Sequence, residues 1–89
     1  MASKPRRPTE AELAILRVLW EGQARSVREI QRVLDASRPT GYTTVLKTLQ
    51  IMTGKGLVER DERCRPQIYR ARYSQHQTQR QLVRDLLHR

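Results

Sequence analysis

Apolar residues recur with helical spacing over the first quarter of the chain. Leu13, Leu16 and Trp20 fall on one face, and Ile15, Val18 and Leu19 lie around its sides. A helix apolar on several sides is covered by more than one neighbour, so this one reads as the central strut of the domain. Its start is set by Thr9-Glu10-Ala11-Glu12, a capping box in which the Thr9 hydroxyl accepts an amide proton one turn on and Glu12 reaches back. Its stop is expected at Gly22. Gln23-Ala24-Arg25 reads as a short extended link. A second capping box, Ser26-Val27-Arg28-Glu29, opens a second helix with a narrow apolar stripe of Val27, Ile30, Val33 and Leu34. The residues from Asp35 to Pro39 break it.

Pro39-Thr40-Gly41 leads into a third helix, expected from Tyr42 to Thr53 and ended by Gly54-Lys55-Gly56. At about 100° per residue, Tyr42, Val45, Leu49 and Met52 fall within an arc of about 80°. Thr43, Thr44, Lys47, Gln50 and Ile51 cluster on the opposite side, with Thr48 at the edge. One side is core; the other carries hydroxyls, an amide and a cation. Leu57 to Arg60 reads as a strand, Asp61 to Pro66 as a charged loop, and Gln67 to Tyr73 as a returning strand. Together they make a hairpin. From Ser74 the pattern is helical again, with Leu82, Val83, Leu86 and Leu87 in one stripe. The expected core is Leu13, Leu16, Trp20, Ile30, Leu34, Val45, Leu49 and Tyr69.

Three helices followed by a hairpin is the order of a winged helix-turn-helix, with the third helix as recognition helix and the hairpin as wing. The expected fold class is therefore α+β, mainly α: three helices, a β-hairpin wing and an additional C-terminal helix. Residues 1–8 read as a basic tail, 9–73 as the winged-helix domain, and 74–89 as the start of a dimerisation helix. The leader has two readings, a disordered tail or an arm that touches phosphates.

Charge sharpens this picture. The 89 residues carry 18 Lys and Arg against 9 Asp and Glu, a net charge of +9, which points to a polyanion as partner. With only four aromatic residues, no ladder exists on which single-stranded bases could stack, so duplex DNA is favoured over an RNA-binding sheet. A membrane surface would need a basic amphipathic helix, and the last helix, with Arg80, Arg84 and Arg89, is a poor match. No apolar run approaches the ~18 residues of a membrane span, and the basic leader lacks the apolar segment of a signal peptide. The cytoplasm is the expected compartment.

Catalysis and metal chemistry find no support. There is no Ser/His/Asp order, no glycine-rich phosphate loop and no carboxylate pair in an apolar setting. Cys64 alone makes neither a disulfide nor a multi-cysteine zinc site. It reads as an incidental exposed thiol or, between Arg63 and Arg65, as a redox-responsive one. His76 and His88 lie in a polar helix with no ligand at metal spacing. No cofactor, metal or enzyme activity is expected.

The candidate DNA-binding residues are Thr43, Thr44, Lys47 and Thr48 on the third helix, Arg38 just before it, and Arg63 and Arg65 in the wing loop. Threonine suits phosphates and thymine methyls, and Lys suits guanine or phosphate. The bland reading of Lys47 is a solvated helix lysine, and that of the threonines is ordinary polar residues near a helix start. Clustered threonines are poor helix formers, which disfavours a purely structural choice. Arg38, Arg63 and Arg65 read as phosphate or minor-groove contacts, or as solubilising loop charges. Trp20 and Tyr69 read as core. The competing function is a winged-helix module for protein–protein contact. Such a module would show an apolar or acidic outer face on the third helix, where this sequence has threonines and lysine.

Leu19-Trp20 closing the first helix, Tyr42-Thr43-Thr44-Val45 with Lys47-Thr48-Leu49, then Lys55-Gly56-Leu57-Val58 and Tyr69 resemble the penicillinase-repressor family of bacterial winged-helix repressors. The resemblance covers about Thr9 to Tyr73. It implies a transcriptional repressor that binds a palindromic operator as a homodimer, the third helix in the major groove and a C-terminal helical region making the dimer. By position, Thr43, Thr44, Lys47 and Thr48 would form the groove face. Leu82, Val83, Leu86 and Leu87 would belong to the dimer contact; alternatively this stripe folds back onto Ile15, Val18 and Leu19. Ile51 departs from the family, many members of which carry Arg there. There it would weaken a phosphate contact, touch a thymine methyl or pack against the wing. The helix reaches Arg89 with no Gly or Pro stop, which suggests a fragment or a short member. Neither the protease-cut region of antibiotic-responsive members nor the cysteine-rich tail of copper-responsive ones is matched, so no inducer or upstream sensor carries over.

Overall fold

A computed structural model describes residues 7–88. The first six residues of the expected tail lie outside it. Among the described residues the elements are α1 (Glu10–Gly22), β1 (Arg25–Ser26), α2 (Val27–Asp35), α3 (Tyr42–Lys55), β2 (Val58–Asp61), β3 (Ile68–Ala71) and α4 (Gln75–Leu87). The strands form an antiparallel sheet in the order β1-β3-β2. The architecture is an α+β winged helix, as the sequence predicts.

Local chemistry fixes the helix starts. Thr9 and Glu12, Ser26 and Glu29, and Ser74 and Gln77 each form a reciprocal capping box at the head of α1, α2 and α4. In α2 the Ser26 hydroxyl accepts from Glu29 N at 3.2 Å, and Ser26 N donates to Glu29 Oε1 at 2.8 Å. That backbone donor is the main cause holding the Glu29 carboxyl below its ordinary pKa.

The end of α1 differs from expectation. Gly22 stays helical, and the positive φ of 69° falls on Gln23, whose N–H donates to the Leu19 carbonyl at 3.0 Å. The Arg25 guanidinium lies directly over Gly22, in the space a Cβ there would take, so a side chain at 22 would require that guanidinium to swing aside. The stretch expected to be a link runs into an additional short strand, β1. Arg25 pairs with Tyr69 and Ser26 with Ile68, so Ser26 is a strand residue and the cap of α2 at once.

The α3 helix also runs further than expected. Gly56, not Gly54, takes the left-handed cap, with φ 77°. Gly56 N donates to the Thr53 carbonyl at 3.1 Å and Leu57 N to the Met52 carbonyl at 2.9 Å, the two bonds of a Schellman motif. Leu57 is thereby turned into the core, and β2 starts one residue later. The wing has the register Val58↔Ala71, Glu59↔Arg70, Arg60↔Tyr69 and Asp61↔Ile68.

The core is built from Ile15, Leu16, Val18 and Leu19 of α1, Val27 and Ile30 of α2, Val45, Leu49 and Met52 of α3, and Leu57, Val58 and Tyr69. Leu13, Trp20 and Leu34, expected inside, are only partly buried against it. Val33 and Tyr42, expected on core-facing stripes, are exposed. The buried face of α1 is turned toward Ile15, Val18 and Leu19 because α2, α3 and β3 all pack on it. Those three residues are therefore already covered, and α4 does not fold back onto them as one reading supposed.

Two long-range polar ties complete the frame. Lys55 in the last turn of α3 donates to both carboxylate oxygens of Glu12, at 3.0 and 2.8 Å, although Glu12 is 3% exposed. The same Glu12 Oε1 accepts from Thr9 N at 2.9 Å. The indole N–H of Trp20 donates to the Tyr73 carbonyl at 3.0 Å, fastening the exit of the wing to the end of α1.

Candidate nucleic-acid interface

The face of α3 opposite Val45, Leu49 and Met52 is open to solvent. Thr43, Thr44, Lys47, Gln50 and Ile51 are exposed, and Thr48 is half-buried. Lys47 has no ion-pair partner among the described residues, so its charge is available to a ligand. The Thr48 hydroxyl donates to the Thr44 carbonyl at 2.8 Å. Its proton is spent inside the helix, and to contact a phosphate it would first have to rotate away. Of the four expected groove residues, Thr48 is therefore the least ready. Ile51 is 55% exposed, so the wing does not bury it.

The turn that delivers α3 is fixed by side chains. Asp35 Oδ1 accepts from Thr40 N at 2.9 Å, the Thr40 hydroxyl donates to the Arg38 carbonyl at 2.9 Å, and Gln31 Nε2 donates to the Thr40 carbonyl at 3.2 Å. Arg38 projects exposed from this turn. The N-cap of α3 is Gly41, which supplies no side-chain acceptor. The first-turn amides of α3 thus lack the internal partner that caps α1, α2 and α4.

One basic residue at this end escapes sequence spacing. Arg28 of α2 places its guanidinium carbon 5.0 Å from the centre of the Tyr42 ring, at the first residue of α3. The pair unites residues of two helices, and neither helix's own periodicity points to it.

The wing loop carries its charge differently from expectation. Asp61 binds Arg63 through two side-chain contacts, at 3.1 and 3.0 Å, and Arg70 at 3.2 Å. The hydrogen bonds from Arg63 pull the Asp61 carboxyl down to about 2 and raise the Arg63 pKa. Arg60 is paired with Glu62 at 2.8 Å. Arg63 is therefore internally engaged, while exposed Arg65 has no such partner among the described residues. Cys64 is a free, half-buried thiol.

No residue of α4 is buried. Its stripe divides in two. Leu82 lines a cavity of about 330 Å³ with Leu57, Tyr73 and Pro8, while Val83, Leu86 and Leu87 face outward, Leu87 being 76% exposed. Among the described residues no helix is long and apolar enough to cross a membrane, and no cluster of three metal-ligating side chains occurs.

Helix order, sheet and the open face of α3 define a winged helix-turn-helix domain of the kind that regulates transcription. The family model for penicillinase repressors matches residues 8–89, and the chain belongs to that family of DNA-binding transcriptional repressors, which are typically non-enzymatic. No curated protein matches the chain at a significant level.

Proposed function

We propose that the protein represses transcription in the cytoplasm by binding a palindromic operator as a homodimer, with α3 of each protomer in the major groove. The observation that carries this reading is the two-sidedness of α3: Val45, Leu49 and Met52 are buried, and the exposed opposite face carries Thr43, Thr44 and Lys47, which has no ion-pair partner among the described residues. Lys47 supplies base or phosphate contact, Thr43 and Thr44 supply hydroxyls, and Arg38 and Arg65 bind backbone. Arg63 joins them by exchanging Asp61 for a phosphate. The outward Val83, Leu86 and Leu87 of α4 suit the partner protomer, because a two-fold dimer is what places two recognition helices one turn apart on DNA.

Titration of Lys47→Ala on a selected operator and on random duplex tests the groove face. A base contact costs about 1–3 kcal/mol on the operator alone; a phosphate contact weakens both duplexes evenly and lowers the salt slope by about one. Unchanged affinity on both removes Lys47 from the interface. Sedimentation of Val83→Asp/Leu86→Asp tests the dimer: the variant should be monomeric where the wild type associates. A double variant that still fills the full operator cooperatively excludes α4 from the contact.

A further inference from the structure

The solvent face of α3 is not uniformly polar. Counted at about 100° per residue, Ile51 lies about 40° from Lys47 and one turn beyond it, on the side of Thr44. It is 55% exposed. One turn further, Gly54 lies about 20° from Lys47 on the other side. An added Cβ at Gly54 would meet nothing within 4 Å, and its backbone is ordinary helix, the left-handed cap belonging to Gly56. Neither packing nor a turn therefore requires glycine at 54, although glycine inside a helix is unfavourable relative to alanine. The second half of the face thus carries Gln50, the branched aliphatic Ile51 and Gly54, with the Lys55 ammonium drawn away to Glu12.

We propose that Ile51 is a specificity-determining residue that packs against the C5-methyl of a thymine, with Gly54 leaving room for the DNA wall to approach. This rests on the operator reading above. A solitary exposed isoleucine is ordinary on a protein surface; its position in line with Lys47, followed by an unforced glycine, is what gives it a role. Of the four base edges in the major groove, thymine alone offers an apolar group. Isoleucine can neither donate nor accept a hydrogen bond. Against a guanine or cytosine edge it would desolvate polar atoms and return nothing, so it discriminates in favour of thymine.

The full chain is used to select its operator from a randomised duplex pool, and each thymine is then replaced singly by deoxyuridine, which removes only the methyl. In the wild type, one position per half-site should lose about fourfold in affinity, the equivalent of one buried methyl at ~0.8 kcal/mol. Ile51→Ala should bind the unmodified operator more weakly and be indifferent to deoxyuridine at that position. Ile51→Val should retain part of the sensitivity. The side chain is exposed, so circular dichroism melting should show each variant folded like the wild type. If wild type and Ile51→Ala respond alike to methyl loss at every thymine, this inference is overturned while operator binding stands. If no duplex is enriched, the operator reading falls and the inference with it.

Discussion

Replacing Lys55 by Met should cost this domain more than its place in the last turn of a helix suggests. The ammonium supplies two of the three hydrogen bonds to a carboxylate that is 3% exposed, at 3.0 and 2.8 Å. After substitution Glu12 keeps one protein donor, Thr9 N at 2.9 Å. Breaking a fully buried ion pair costs about 3–5 kcal/mol, because the remaining charge is left without compensation. The Lys55 side chain keeps 22% of its surface, so water reaches the vacated position and the figure falls to about 2–3 kcal/mol. At ~4–8 °C per kcal/mol for a domain of this size, the melting temperature should drop by about 10–20 °C. The reverse substitution is milder. Glu12→Gln keeps the capping box and lets the lysine swing into solvent, for about 1 kcal/mol or less. Urea denaturation followed by far-UV circular dichroism reads both variants, with an unchanged m-value showing that only stability has moved. A Lys55→Met variant within about 0.5 kcal/mol of wild type, or equal losses from the two substitutions, would refute the reasoning.

Three further expectations follow from the geometry. Asp61, lowered from an ordinary 3.8 to about 2 by Arg63, should give its wing contact undiminished above its unfolded value and lose it only as pH falls through about 2; an NMR titration of its carboxyl should show this midpoint, and Arg63→Ala should move it up. Arg65→Ala should weaken operator and random DNA by similar factors and more than Arg63→Ala does, since Asp61 already holds Arg63; a selective loss on the operator would show that the wing reads sequence. Gly54→Ala should stabilise the free domain by up to ~1 kcal/mol while weakening operator binding, and a variant both more stable and equally tight would show that DNA does not approach residue 54.

What could be read from the chain was whatever depends on near neighbours. Thr9 with Glu12 and Ser26 with Glu29 are three residues apart and form as expected. The core side of α3 follows from period alone, and Val45, Leu49 and Met52 obey it. Where period loses contrast, the reading slips: α1 is apolar nearly all round, so its pattern could not show that Ile15 and Val18 outrank Leu13 and Trp20. Two glycines stand beyond Thr53, and the choice of Gly56 as cap depends on burying Leu57, a tertiary gain. The strand β1 is two residues long, below any periodicity, and exists only because β3 lies beside it. On the candidate interface, the positions of Thr43, Thr44 and Lys47 were legible. The diversion of Arg63 by Asp61 and the approach of Arg28 to Tyr42 were not, because loop and interhelix contacts have no fixed spacing.

Trp20 is the chain's one tryptophan, and its indole N–H is bound to the Tyr73 carbonyl where the sheet ends and α4 is about to begin. The domain therefore contains an intrinsic fluorophore at the junction between its body and its outermost helix. Being half-buried, the ring is sensitive to water arriving or leaving when that junction opens. A movement of α4 on meeting DNA or a second protomer would be registered as a shift of emission from unlabelled protein, at a place where neither the recognition helix nor the wing loop need be altered to observe it.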